Sequence, residues 1–217
     1  MRTYLAPLGF DSRRVVRPVL SEGLDEGDRV VLLQPVGGSE RGEDAFEEVE
    51  NVLTQVVPAL DLQIEHLPHN DFVETTLYCA DLIQNAEGEI IVILGGGARE
   101  ILLPLTVATF GSDVFIDTIL QVGDIDSSVR RVPQLNLRGN VTDAEWKLLA
   151  DIADLDTLLS ISEIANRLDK SKSTIARHVP TLESKGFVLT EKEGRKKTVD
   201  VTDSGRVFLR TSTNQRL

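Results

Sequence analysis

The chain has one cysteine, one tryptophan, one methionine, two tyrosines and no lysine before position 147. A lone Cys79 excludes a disulfide framework and a thiolate metal site. No stretch approaches the roughly 18 to 20 apolar residues of a membrane span, and the first residues lack a signal-peptide layout. The expectation is a soluble, cytoplasmic protein. His66 and His69 form an H-x-x-H pattern, but Pro68 stands between them and no third ligand is near, so no metal or other cofactor is expected.

What is present is unevenly spread. The 217 residues carry a net charge of −12. Residues 1–139 hold 10 basic and 23 acidic residues, whereas residues 140–217 hold 13 and 12. All seven lysines (147, 170, 172, 185, 192, 196, 197) lie in the second part. An acidic, lysine-poor surface is also what a salt-loving archaeon would favour, but that does not explain where the lysines are. The split predicts two domains with different partners, one over 1–135 and one over 142–217, joined by a linker at 136–141.

In the first part, apolar runs alternate with helical patterns. "TYLAPLGF" reads as a strand, followed by a helix with Val15, Val16, Val19 and Leu20 on one face. "DRVVLLQPV" is the continuous run of a strand covered on both sides. "EDAFEEVENVLTQVVPAL" spaces Phe46, Val49, Val52, Leu53 and Val56 at helical intervals. "LQIEHL", a helix from Asp71 to about Asn85, "EIIVIL", a helix after the glycines and "VFIDTIL" complete the series. Such alternation predicts an α/β, Rossmann-like, mostly parallel sheet.

In these sheets ligands sit beyond the carboxyl ends of the strands, where helix N-termini favour anions. Three segments fall there: Leu8, Gly9, Phe10 and Asp11; Gly37, Gly38 and Ser39, with Arg41 beyond; and Gly95, Gly96, Gly97, Ala98, Arg99 and Glu100. Glycines at all three suggest a backbone cleared for a phosphate, with Arg99 as a bidentate partner. A nicotinamide-type fingerprint fits poorly, because Glu100 stands where the third glycine of G-x-G-x-x-G belongs and the triplet follows a late strand.

The second part opens with two capping boxes, Thr142 with Glu145 and Ser160 with Glu163. Behind the first, Trp146, Leu149, Ile152 and Ala153 recur at helical spacing; behind the second, Ile161, Ile164, Ala165 and Leu168. The turn "DKS" leads to a third helix in which Ile175, Val179 and Leu182 face inward, Pro180 introduces a kink or an early end, and Gly186 terminates. "FVLTEKEGRKKTVDV" alternates on either side of Gly194 as a hairpin, and Thr202 caps a closing helix. Helix, helix, turn, helix, hairpin, helix is the winged helix-turn-helix plan, whose third helix enters the DNA major groove. Eight basic against three acidic residues lie between 170 and 197. Ser171, Lys172, Ser173, Thr174, Arg177 and His178 on the third helix, with Lys192, Arg195, Lys196 and Lys197 on the hairpin, are the expected duplex contacts.

The chain resembles the CRISPR-associated transcription regulators, Csa-type and archaeal, that join an N-terminal CARF domain (CRISPR-associated Rossmann fold) to a C-terminal winged helix. The resemblance rests on "PLGFD" (7–11), "GGGAREILL" (95–103) and "ISEIANRLDKSKSTIARHVPTLESKGFV" (161–188). It implies a homodimer whose paired CARF domains hold a cyclic oligoadenylate, with cyclic tetra-adenylate the expected ring, and which acts on palindromic promoters of CRISPR-Cas genes in antiviral defence. Gly9, Phe10 and Asp11 match the family's first-strand loop, and Gly95 to Arg99 its late-strand loop. The departure is the acidic N-terminal domain, which leaves few cations for a polyanion. The expectation is a sensor and not an enzyme. Two alternatives stand beside it: cleavage of the cyclic ligand, with Arg99 and Ser39 as candidate groups, and a repressor responding to an unrelated metabolite.

Overall fold

The computed structural model describes residues 1–137, 140–155, 157–193 and 196–212. The chain divides into two units, Met1–Gln134 and Leu135–Leu217.

In the first unit, five strands alternate with four helices: β1 (Arg2–Pro7), α1 (Arg13–Glu22), β2 (Arg29–Pro35), α2 (Glu40–Val56), β3 (Asp61–Leu67), α3 (Phe72–Gln84), β4 (Glu89–Leu94), α4 (Arg99–Gly111) and β5 (Thr118–Val122). A further strand, β6 (Val129–Val132), closes the series. The sheet order is β3-β2-β1-β4-β5-β6, parallel except for β6, which runs antiparallel to β5. The order reverses between β1 and β4, so the switch point lies between their carboxyl ends.

The apolar runs fill both faces of this sheet. Tyr4, Val30, Leu32, Ile91 and Ile93 pack under Val15, Val19, Val49 and Leu53 of α1 and α2. Leu5, Val31, Leu33 and Val92 pack under Cys79, Ile83, Ile101 and Leu105 of α3 and α4. A fully buried leucine or isoleucine contributes about 2 kcal/mol, so the two layers outweigh the modest helix propensity of these valine-rich segments. Burial also pushes the Cys79 thiol up to about 12, leaving it a small apolar filler.

The structure departs from the sequence pattern in a few places. Val52 and Val56, which continue the helical spacing of α2, face solvent at 39% and 52% exposure. Leu20 of α1 is also exposed. The strand expected over "VFIDTIL" begins only at Thr118; Ile116 is buried in the loop before it and Phe115 projects outward. Neither β6 nor the two-residue strand β7 (Leu159–Ser160) follows from apolar periodicity.

The second unit contains α5 (Asp143–Ala153), β7, α6 (Ile161–Arg167), α7 (Lys172–Ser184), β8 (Val188–Glu193), β9 (Lys196–Val201) and α8 (Asp203–Thr211), with sheet order β7-β9-β8. Both capping boxes form. Ile175, Val179 and Leu182 reach a core that includes Phe187 and Phe208, whose rings stack 4.4 Å apart. Pro180 does not end α7, which continues to Ser184 and turns off at Gly186, a left-handed residue with φ of +71°. Trp146 is half-buried and donates its indole N–H to Ser212 Oγ at 3.0 Å.

The connector is shorter than the sequence suggests. Gln134 is held by the first unit: its Oε1 accepts from the Ile116 amide and its Nε2 donates to the Val114 carbonyl, both at 3.1 Å. Asn136, at the start of the expected linker, belongs to the second unit. Its amide donates to Ser204 Oγ at 3.0 Å and its Nδ2 to the Lys185 carbonyl at 2.9 Å.

Candidate ligand cleft and candidate nucleic-acid surface

At the switch point of the first unit, the loops after β1, β2, β4 and β5 enclose a cleft of about 870 Å³. Every ligand-site residue expected from the sequence lines it: Leu8, Gly9, Phe10, Asp11, Gly37, Gly38, Ser39, Arg41, Gly95, Gly96, Gly97, Ala98, Arg99 and Glu100. The volume is in the range of small-molecule sites.

The glycines, however, do different jobs. A Cβ on Gly97 (φ +69°) would lie 2.7 Å from Pro7 Cβ, and one on Gly9 would lie 2.8 Å from the Gly97 amide nitrogen. A Cβ on Gly95 would lie 2.5 Å from Val122 Cβ. At these positions the missing side chain makes room for the protein's own β1, β4 and β5 loops, which corrects the expectation that all three loops are cleared for a phosphate. Gly37 (φ +92°) and Gly38 have nothing within 4 Å and face open space. Gly96 accommodates a third neighbour, since its Cβ would sit 3.2 Å from both Cβ and Cδ of Arg14.

The electrostatics are set by a few arginines. Helix α4 starts at Arg99 with Ala98 as N-cap and no side-chain cap, so its first amides are open to a ligand. Arg99 and Glu100 are both exposed, and Arg99 has no ion-pair partner among the described residues. Arg41 lies 4.3 Å over the ring of Phe10, a cation–π contact joining the β1 and β2 loops. Asp11 receives Arg13 through Nε at 2.8 Å and Nη2 at 3.1 Å. That side-chain pairing, stronger than partial burial, holds the Asp11 carboxyl below its usual range. Ser39 is the N-cap of α2 and accepts the Gly42 amide at 3.2 Å. Its hydroxyl oxygen is therefore committed to the helix.

Residues that sequence reasoning did not assign to the ligand site also line the cleft: Arg14, Gln34, His69, Leu102, Gln121 and Asp124. Gln34 donates to the Gly42 carbonyl at 3.1 Å and fixes the start of α2. Arg14 Nη1 donates to Asp124 Oδ1 at 2.5 Å across the mouth, with Asp11 Oδ2 at 3.9 Å from its Nε. His69 Nδ1 is buried on the wall without a hydrogen-bond partner among the described residues. The outer half of the H-x-x-H pattern, His66, is exposed, and no cluster of three or more metal-ligating side chains exists among the described residues.

In the second unit, Lys172, Ser173 and Arg177 are exposed on α7, while Thr174 and His178 are half-buried. Ser171 caps α7, accepting the Thr174 amide at 3.1 Å. Arg177 Nη2 lies 3.2 Å from His178 Nε2. Lys192 is exposed on β8. Lys197 leans on Glu183 at 3.3 Å, and Thr190 donates to the same carboxylate, so α7, β8 and β9 are tied together. Gly194, Arg195 and the side chain of Lys196 lie outside the described residues. Charge counting overstated the basic surface, because Lys170 pairs with Asp151 at 2.6 Å and Lys185 with Glu145 at 3.2 Å.

Residues 2–116, more than half of the sequence, match the model of the Csa3 CRISPR-associated Rossmann-like domain. The chain belongs to the Csa3 family. Its winged-helix half, residues 140–205, matches a second model, HVO_A0114. No curated protein matches. Solved structures similar to this chain include YusO from Bacillus subtilis (26% identity over 32% of this chain and 51% of that one, TM-score 0.30). The transcriptional regulator BldR from Sulfolobus solfataricus gives 27%, 32%, 51% and 0.29. BpsR from Bordetella bronchiseptica, solved to explain how 6-hydroxynicotinic acid regulates its DNA binding, gives 18%, 32%, 55% and 0.30. The Csa3-family chain spans about half the length of these neighbours.

Proposed function

We propose that this Csa3-family chain is a ligand-responsive transcription regulator whose first unit binds a cyclic oligoadenylate and whose second unit binds duplex DNA. The observation that carries the ligand half is the cleft at the switch point, lined together by the start of α4, which has no side-chain cap, by Arg99, which has no ion-pair partner among the described residues, and by the open Gly37–Gly38 backbone. Amides and an exposed guanidinium suit phosphodiesters, and the exposed Phe10 offers a face on which a base can stack. Cyclic tetra-adenylate is the ring we assign.

The DNA half is supported by the exposed Lys172, Ser173 and Arg177 on α7 and by Lys192 on the hairpin that follows. Arg177 is the donor for a guanine edge, and Lys172 and Lys192 serve as phosphate contacts. A single winged helix reads few base pairs, so the working species is a homodimer on a palindrome. Exposed apolar side chains on α3 and α4 support a twofold contact there: Phe72, Val73, Leu77, Leu103 and Val107 are each 49% to 64% exposed.

The protein acts by binding and not by turnover, in the cytoplasm, at CRISPR-Cas promoters. Calorimetric titration of the full chain with cyclic tetra-adenylate, followed by mass analysis of the nucleotide, tests the ligand half. Saturable binding with the ring intact is the expected result. Linear products would establish cleavage instead, and binding of a mononucleotide or amino acid alone would overturn the cyclic-nucleotide assignment. Fluorescence anisotropy with promoter fragments, with and without the nucleotide, tests the DNA half.

A further inference from the structure

Arg14 occupies an unusual place in the cleft. Its stem lies against the backbone of Gly96, where a Cβ would sit 3.2 Å from it. Its guanidinium, a quarter exposed, reaches across the mouth to Asp124, which is 88% exposed on the loop between β5 and β6. The other side-chain ties of that loop are internal or sequence-local: Asp126 accepts from the Ser128 amide and hydroxyl at 3.0 and 2.8 Å, and Arg130 pairs with Asp126. Among the described residues, Arg14–Asp124 is the side-chain bond that fastens residues 123–128 to another element.

Beyond this loop the chain forms β6, the last strand of the first unit. Strand β6 is four residues long, lies at the sheet edge and is tied to α1 by Arg131–Glu22 at 2.6 Å. Two residues after β6, Gln134 is bound to the first unit, and Asn136 is bound to the second. The loop that Arg14 fastens is therefore separated from the second unit by one short edge strand and a connector with a single residue between its clamps.

We propose that Arg14 is a competed anion contact. With the cleft empty it holds Asp124, and a phosphate entering the cleft takes the guanidinium over, loosening the 123–128 loop where it enters β6. This rests on the anionic-ligand reading of the cleft. The physical basis is that an exposed carboxylate is a weak partner for arginine, whereas a phosphodiester held at the same time by helix amides and Arg99 is a stronger one. A ligand shifts a conformation only by binding its two states differently. Exchanging the partner of Arg14 supplies such a difference.

The test compares full-length wild type with Asp124→Asn and Arg14→Gln by amide hydrogen exchange and calorimetry, using cyclic tetra-adenylate and, separately, inorganic pyrophosphate. Without ligand, both variants should exchange several-fold faster over residues 123–132 than wild type. With cyclic tetra-adenylate their affinities should move in opposite directions, Asp124→Asn about fivefold tighter and Arg14→Gln about fivefold weaker. A merely structural ion pair would weaken binding in both. Unchanged exchange in the ligand-free variants, or affinities that fall together, overturns the proposal. If wild type ignores cyclic tetra-adenylate but pyrophosphate accelerates exchange at 123–132, the nucleotide assignment fails while the role of Arg14 stands. If neither probe accelerates it, the proposal fails too.

Discussion

Replacing Gly97 and Gly37 by alanine separates the two roles that glycine plays at this cleft. At Gly97 the backbone is left-handed and the new methyl would lie 2.7 Å from Pro7 Cβ. The left-handed penalty is about 1 kcal/mol, the overpacking cost about 1 to 3 kcal/mol, and reduced freedom of the unfolded chain returns about 0.5 kcal/mol. The net loss is about 1.5 to 3.5 kcal/mol. For a unit of this size that lowers the melting temperature by roughly 10 °C. At Gly37 the backbone is also left-handed, but nothing lies within 4 Å, so the loss is about 1 kcal/mol or less, roughly 3 °C. Its methyl would instead project toward cleft space, weakening cyclic tetra-adenylate about tenfold. Melting by circular dichroism and titration calorimetry on the two variants measure both quantities. Should Gly97→Ala melt like wild type and lose only ligand, the packing explanation of the triplet is wrong.

On the second unit, Arg177→Ala should relax sequence choice at one base pair at a cost of about 1 to 3 kcal/mol, read by anisotropy on a set of point-mutated operators. Lys172→Ala should weaken all duplexes alike and reduce the slope of log affinity against log salt by about one. Leu77→Glu together with Leu103→Glu should convert a dimer to a folded monomer, seen by light scattering with an unchanged far-ultraviolet spectrum. Glu145 carries the pH prediction. Burial raises its pKa, but the Thr142 amide and Lys185 outweigh that, and the net direction is downward. A carboxyl depressed in the folded state contributes stability above its unfolded value and loses it as pH falls through the folded one. Glu145→Gln should therefore cost stability at pH 7 and make melting flatter between pH 7 and pH 3.

The strand and helix order was legible because parallel strands covered on both faces are near-continuous apolar runs, as in "RVVLLQP" and "EIIVIL". The caps were legible because a side chain three residues from its partner is a local geometry, and both capping boxes form. β6 was not, since "VRRV" has two outward arginines and takes its strand character from pairing with β5. Solvent at Val52 and Val56 was equally invisible, because periodicity marks one face of a helix without fixing how far the sheet beneath extends. In the cleft, loop residues adjacent to strand ends were found, while Arg14, His69 and Asp124 were not. They arrive there from α1, from the β3–α3 loop and from the β5–β6 loop, and only the tertiary fold brings those together.

The charge pattern of the first unit acquires a physical sense from these positions. An acidic, lysine-free surface repels polyanions over long range, and salt screens that repulsion beyond about 10 Å. Within the cleft the balance is local, and each arginine is differently engaged: Arg14 by Asp124, Arg41 by the Phe10 ring, Arg99 by no ion-pair partner among the described residues. Arginine suits these settings because it pairs with a carboxylate, stacks on an aromatic face, and presents a planar fork of donors to a phosphate. Lysine would hold none of them as well, since it offers a strongly hydrated point charge. Arg99→Lys should consequently bind cyclic tetra-adenylate several-fold more weakly than wild type despite its unchanged charge. Equal affinities in a calorimetric comparison would mean that α4's amides alone hold the phosphate and that Arg99 is only a long-range attractor.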